Sequence, residues 1–325
     1  MKVTRRQTAL GAAGLLAAPA AHAQPWTPAR NVTLIVGAPP GGTADALGRL
    51  VARGLSEEWG QTVVVENRGA AGGQLAAETL ARATPDGHTL FLANTNVLAI
   101  NHALNARQPY ETLRDFAFVG QVANWPLVLT VRPELGVTSV AELIARAKAE
   151  PGKLNAASGG NGTAMHMALA LFNRLAGTEI VHVPYRGSGP AMNDMLAGQG
   201  VQMIFEPTAT VLGPIQAGRL RGLAVASARR AAALPDLPTL AETGLNGYLV
   251  TQYHGIVVPA ATPAPLVAQI NAALNRAMAR PEIRSRLTNL GAEPIATTPA
   301  EFAAFVREEI PRWAELVALS GARVE

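Results

Sequence analysis

Cysteine is absent from this sequence. No disulfide can staple the fold, so its stability rests on a packed core. No thiolate is available for metal binding or nucleophilic attack. A lipid anchor of the bacterial type, which needs a cysteine at the cleavage point, is excluded as well. Charge is scarce, with 15% Asp, Glu, Lys and Arg against 49% apolar residues, a balance that describes a globular chain rather than a disordered one. Beyond the N-terminus no apolar run is long enough to span a bilayer. The histidines at 88, 102, 166, 182 and 254 lack the His-x-x-x-His spacing of a metal site. Gly187-Ser188-Gly189 is not a nucleophile elbow, which needs Gly-x-Ser-x-Gly.

The first residues carry what the rest lacks. Lys2, Arg5 and Arg6 precede the apolar stretch Ala9 to Ala18, and Ala21-His22-Ala23 fits a small-x-small cleavage site before Gln24. Residues 1–23 therefore read as an export signal, and the mature protein is expected to be soluble and periplasmic. Arg5-Arg6 hints at twin-arginine export, but Gln7-Thr8-Ala9 continues that pattern weakly, and an ordinary secretion signal is favoured. Removing Lys2, Arg5 and Arg6 from the formal charge of +4 leaves +1. A near-neutral chain with no basic block gives no support to nucleic-acid binding.

At 325 residues the chain has room for two ordinary domains. What organises it is Gly37-Ala38-Pro39-Pro40-Gly41-Gly42-Thr43-Ala44-Asp45. The apolar run Val32 to Val36 before it reads as a buried strand, and Ala44 to Trp59 after it has helical spacing. The first N–H groups of a helix have no internal partner and sit at the positive end of its dipole. Gly41 and Gly42 bare that backbone to a ligand, so the loop is a candidate anion cradle. It is neither Gly-Lys-Ser/Thr nor Gly-x-Gly-x-x-Gly, which excludes the standard nucleotide loops. Asp45, in the first turn, reads as a structural cap rather than a ligand group. A second cradle, Ser158-Gly159-Gly160-Asn161-Gly162-Thr163, precedes the helical pattern Ala164 to Ala176. The two loops are expected to face each other across a cleft and hold one small anion.

Strands at Thr62–Glu66 and His88–Ala93, alternating with helices, predict a parallel sheet covered on both faces. Phe116–Ala123 and Leu127–Arg132 are expected as separate strands, with an interdomain crossing near Asn124-Trp125-Pro126. Thr251 to Val258 is the expected return. Ser139 is expected to cap the helix Val140 to Ala149. Helices over Pro263–Ala279 and Ala300–Ser320 are expected to pack on the first domain, with Glu308-Glu309 on a solvated face. His166 lies in the first turn after the second cradle and can face the cleft, while His182 reads as an interior histidine. Tyr185 and Arg186 follow a strand, at the sheet end where ligands collect, and Arg186 can grip a carboxylate in a bidentate way. Glu206, just after another strand, would repel a carboxylate or attract an ammonium group.

These residues resemble an exported substrate-binding protein of the Bug group, the receptor component of tripartite tricarboxylate transporters. The resemblance rests on Ile35 to Asp45, Val64-Val65-Glu66-Asn67-Arg68, Pro85-Asp86-Gly87-His88-Thr89-Leu90, His182-Val183-Pro184-Tyr185-Arg186-Gly187, Ala233 to Thr239 and Leu290-Gly291-Ala292-Glu293-Pro294. It implies an α/β, two-domain periplasmic-binding-protein fold of the type II kind with the ligand cleft between domains. The expected boundaries are 24–124 plus 250–325 for domain I and 125–249 for domain II. It implies a monomer without enzyme activity, cofactor or metal, binding a small carboxylate: a di- or tricarboxylate, an acidic amino acid or an aromatic acid. The expected ligand-binding residues are Pro40, Gly41, Gly42, Thr43, Asn94, Ser158, Gly159, Gly162, Thr163, His166, Tyr185, Arg186, Gly187, Glu206, Tyr253 and His254. Departures from the family pattern fall at Tyr253-His254-Gly255, where an aromatic pair is usual, and at Phe205-Glu206-Pro207, where aspartate or a small residue is usual. Both are expected to line the distal end of the ligand. Membrane transporter subunits are the expected partners, and a periplasmic sensor feeding a signalling protein is the alternative. A hydrolase using His166 or His254 with Ser158 is a third reading, and it requires a base within hydrogen-bond reach of that hydroxyl.

Overall fold

The computed structural model describes residues 26–69, 73–105 and 107–322. The expected export signal lies outside them. The elements, in order, are β1 (Val32–Val36), α1 (Thr43–Trp59), β2 (Val63–Asn67), α2 (Gln74–Ala81), β3 (Thr89–Asn94), a π-helical turn (Asn96–Ile100), α3 (Asn101–Leu104), α4 (Thr112–Asp115), β4 (Phe116–Val131), α5 (Val140–Ala149) and β5 (Asn155–Ser158). Then come α6 (Ala164–Ala176), β6 (Val181–Pro184), α7 (Ser188–Ala197), β7 (Met203–Pro207), α8 (Thr208–Gln216), β8 (Arg221–Val225), β9 (Thr251–Pro259), α9 (Ala264–Ala279), α10 (Pro281–Asn289), β10 (Glu293–Pro294) and α11 (Pro299–Ser320).

The strand order is β2-β1-β3-β9-β4-β7-β5-β6, with β8 and β10 also pairing β4. Two parallel groups, β2-β1-β3 and β6-β5-β7, are joined by antiparallel β9 and β4. The expected parallel pattern thus holds within each half, and the sheet as a whole is mixed. The strand break expected at Asn124-Trp125-Pro126 does not occur. Strand β4 runs unbroken, pairing β9 up to Pro126 and then β7 and β8 from Leu127 onward. Pro126 stands where the strand changes partners, and its carbonyl accepts from Thr208 Oγ1 at 3.0 Å. A residue with no N–H is tolerated where one ladder gives way to the next.

Each half buries its own core. One cluster holds Val32, Leu34, Leu47, Val51, Ile270 and Leu274, so α1 and α9 pack side by side on one face of β1, and Ile35 on the other face meets Ala76, Ala77 and Leu80 of α2. Another holds Leu129, Leu143, Met167, Leu169, Phe172 and Phe205. Helix α11 joins them. Its early residues Phe302 and Val306 pack with Phe118 and Tyr253, whereas Trp313, Leu316 and Val317 belong to the second-half cluster with Phe172. The expectation that this helix stays on the first domain is corrected: apolar positions continue along its whole length, so it covers both halves. Glu309 is not solvated but buried. Its carboxylate accepts from Arg312 Nε at 2.7 Å and Trp313 Nε1 at 2.8 Å, and Arg312 Nη1 donates to Leu249 O at 2.8 Å. The expected cap at Ser139 is present, its Oγ accepting from Glu142 N at 3.2 Å.

Candidate functional site: two glycine cradles at strand ends

The first cradle leaves β1 at Val36. Asn67 Nδ2 donates to Ala38 O at 3.0 Å, and Gly69 packs so tightly that a Cβ there would lie 2.5 Å from Pro39 N. Gly41 takes a positive φ of 87°, which glycine adopts without strain. Its N–H donates to Asp45 Oδ2 at 3.0 Å, and Arg49 Nε donates to the same oxygen. The Arg49 hydrogen bond, with that from Gly41, holds the Asp45 carboxyl below its ordinary range despite burial. Asp45 therefore braces the loop, in the structural role its position suggested. The N-cap of α1 is Gly42, extended at φ −89° and ψ 178°. The N–H groups of Gly42, Thr43 and Ala44 have no backbone acceptor among the described residues. Pro40, Gly41 and Gly42 are exposed, and nothing but Pro39 O, 4.0 Å away, approaches a Cβ built on Gly42. Three donors at a helix start are thus left without a backbone partner.

The second cradle starts at Ser158, the last residue of β5. Its side chain is buried and braces the loop, accepting from Gly160 N–H at 3.1 Å, while its hydroxyl lies 2.6 Å from His182 Nε2. Thr163 Oγ1 donates to Gly160 O at 2.8 Å and caps α6 through His166 N. Gly162 N–H donates to His166 Nδ1, which fixes that nitrogen as an acceptor. The loop after β6 is laced to it: Tyr185 N–H donates to Ser158 O at 3.0 Å and Gly187 N–H to Gly159 O at 3.1 Å. Ser158, Gly159, Gly162, Thr163, Tyr185 and Gly187 thus form one wall. Tyr185 spends its hydroxyl on Asp194 Oδ2 at 2.8 Å. Arg186 is exposed and enters no ion pair among the described residues.

Contacts cross between the halves beside this wall. From β3 the chain continues through the π-helical turn to Leu104, whose Cδ1 lies 2.4 Å from the Cβ position of Gly162. Gln252 Nε2 on β9 meets Met165 Sδ on α6 at 3.6 Å. Neither Leu104 nor Gln252 was a candidate from sequence. Leu104 sits in a stretch without clear periodicity, and Gln252 has no motif to mark it. Asn94 ends β3 opposite His254, and its Oδ1 accepts from Val97 N–H at 3.1 Å, while its NH2 has no partner among the described residues.

The remaining candidates lie deeper. His166 and His182 stack with centroids 3.7 Å apart and planes 10° from parallel. Burial lowers both, His182 to about 4 with the second imidazole contributing, so both are neutral at neutral pH. With Asn173, Arg174 and Ser320 they line a depression beside α6 and the end of α11. His254 is buried edge-on to Trp125 and also pushed down to about 4 by burial. Tyr253 is buried against Phe305, with ring centroids 4.8 Å apart. It lines a cavity of about 190 Å³ shared by Asn124, Thr251, Glu293 and Arg312. Glu206 lies within β7 rather than after it and is fully buried, with burial raising its carboxyl to about 7. The base near Ser158 is His182 rather than His166 or His254. Among the described residues, no group of three or more His, Cys, Asp or Glu is arranged to hold a metal, and no helix is long and apolar enough to cross a membrane.

Residues 47–321 match the family described as the tripartite tricarboxylate transporter family receptor. The chain belongs to that family. This receptor is 36% identical over 299 residues to protein BugT of Bordetella pertussis, covering 92% of this chain and 91% of that one. An R. palustris protein solved with adipate superposes with a TM-score of 0.83 at 34% identity, covering 91% of this chain and 99% of the other. MatC from Rhodopseudomonas palustris with bound malate gives 0.78 at 33% identity, covering 89% and 99%. The family is one of solute receptors and not of enzymes, so the Ser158–His182 contact is a loop brace. The fold is the mixed α/β periplasmic-binding-protein fold of this family.

Proposed function

We propose that this receptor captures a small dicarboxylate in the periplasm and presents it to the membrane subunits of a tripartite tricarboxylate transporter. The two domains are taken as 24–124 plus 250–325 and 125–249, with the cleft between them, and the working unit is a monomer. The observation that carries the reading is the row of N–H donors at Gly42, Thr43 and Ala44 that have no backbone acceptor among the described residues, beside the uncrowded Gly42. One ligand carboxylate seats there, held by charge-assisted hydrogen bonds at a helix start. The other meets the Ser158–Thr163 wall, where the unpaired Arg186 supplies a planar, two-pronged donor. Relatives solved with adipate and with malate support this ligand class.

Isothermal titration of the mature protein against C4 to C6 dicarboxylates, acidic amino acids and aromatic acids tests it. Saturable 1:1 binding of a dicarboxylate is expected. Absence of binding by every acid in the panel would overturn the proposal. Uptake of the labelled acid by cells, lost on deleting the receptor or the membrane subunits, checks the transport half.

A further inference from the structure

Glu206 is a carboxyl group whose two oxygens are both buried without a hydrogen-bond partner among the described residues. Its side chain is fully enclosed at the carboxyl end of β7, beside β5, which carries the second cradle. On the face shared with Ile204 lie Val128, Ala157, Ala191, Met192 and Val211, all apolar. Helices α7 and α8 start next to it, and the Ser188 and Thr210 hydroxyls lie close enough to favour its ionised form in part. A buried carboxyl without a cation is retained at a cost, and such groups cluster at functional sites. Ser188 links it to the cradle: the Ser188 N lies 3.4 Å from the Cβ position of Gly159.

We propose that Glu206 couples ligand capture to proton uptake, taking one proton from solvent as a ligand carboxylate settles on the second cradle. This rests on the dicarboxylate reading above. Two carboxylates in one low-dielectric site cannot both stay ionised, so the nearby protein group is neutralised. The neutral Glu206 stops repelling the guest. A ligand carrying an ammonium group at that end would instead hold Glu206 ionised and bind without proton uptake.

The surroundings make the linkage readable. Strands β4, β5 and β7 and helix α8 bring no other charged residue; α7 brings Asp194, tied to Tyr185, and the loop before it brings Arg186. Strand β8 adds only Arg221, at its far end, where Nη1 donates to Val137 O. Burial keeps His182 and His254 near 4, so neither titrates between pH 6 and 8, and it lowers His166 from its ordinary value. Burial, partly opposed by the two hydroxyls, sets Glu206 at about 7, inside that window.

The test is titration calorimetry with adipate and with malate at pH 6, 7 and 8, in phosphate and in Tris, whose ionisation enthalpies differ. Wild type should take up nearly half a proton at pH 7, and its affinity should fall about five- to tenfold from pH 6 to 8. Glu206→Gln should bind at pH 8 as tightly as wild type at pH 6, with a flat profile and no proton uptake. Glu206→Met, similar in length, should give the same flat profile if the amide variant folds poorly. A Gln or Met variant that keeps the wild-type slope and proton count would overturn the linkage while leaving the receptor reading intact. Failure of wild type to bind either acid at every pH would bring down both.

Discussion

Replacing Gly42 by alanine should separate folding from binding. The backbone there, at φ −89°, suits any L-residue, and the added Cβ meets only Pro39 O at 4.0 Å. The folding cost is therefore that of a poor N-cap, about 0.5–1 kcal/mol. In a chain of this size that lowers Tm by about 1–3 °C. On the proposed binding mode, however, the methyl group would stand in front of the N–H row that takes the ligand carboxylate. Losing two charge-assisted hydrogen bonds at about 1.5–3 kcal/mol each removes roughly 3–6 kcal/mol, or at least ~100-fold in affinity. Gly41→Ala is the counter-experiment. Its positive φ of 87° makes a side chain costly at about 1 kcal/mol or more, although the space around it is open. Calorimetric titration with a dicarboxylate, alongside thermal melts, reads both variants. Gly42→Ala with affinity within threefold of wild type would refute the cradle.

Arg186→Gln should leave Tm unchanged, because the side chain is exposed and unpaired, while weakening dicarboxylate binding about tenfold or more and flattening its salt dependence. Asp45→Asn should cost about 1 kcal/mol at neutral pH by loosening the hold on Gly41. Because the folded carboxyl titrates below its unfolded range, that stability is fully present above about pH 4 and is lost below it, as pH falls through the depressed folded value, so the two melting curves should converge in acid. Glu309→Ala should cost about 3 kcal/mol in urea unfolding, since it strands the Arg312 guanidinium and the Trp313 indole N–H.

The parts of the fold that were legible in the sequence are those where one local signal dominates. Val140–Ala149 and Ala164–Ala176 are bounded by caps at Ser139 and Thr163, and the structure ends them at the same residues. Both cradles were visible because glycine clusters between a strand and a helix leave few alternatives. The continuity of β4 was hidden because Pro126 normally ends a strand, and only tertiary pairing with both β9 and β7 overrides that local preference. Helix α10 was missed because its sequence is mostly polar and only Ile283 and Leu287 are buried. The reach of α11 across both halves could not be read from amphipathicity, which tells that a face is buried but not against what. At the site, composition made Arg186 and Glu206 equally ambiguous. Burial separates them: one is exposed and cationic, the other sealed and near its titration midpoint.

Strand β4 spends 16 residues passing from one ladder into the next, with β9 alongside it. The bodies on either side are consequently welded to a common beam instead of hung from a slack cord. If the proposed capture of a guest moves the two halves, it would have to flex that beam, which would limit the swing and return it to a defined shape.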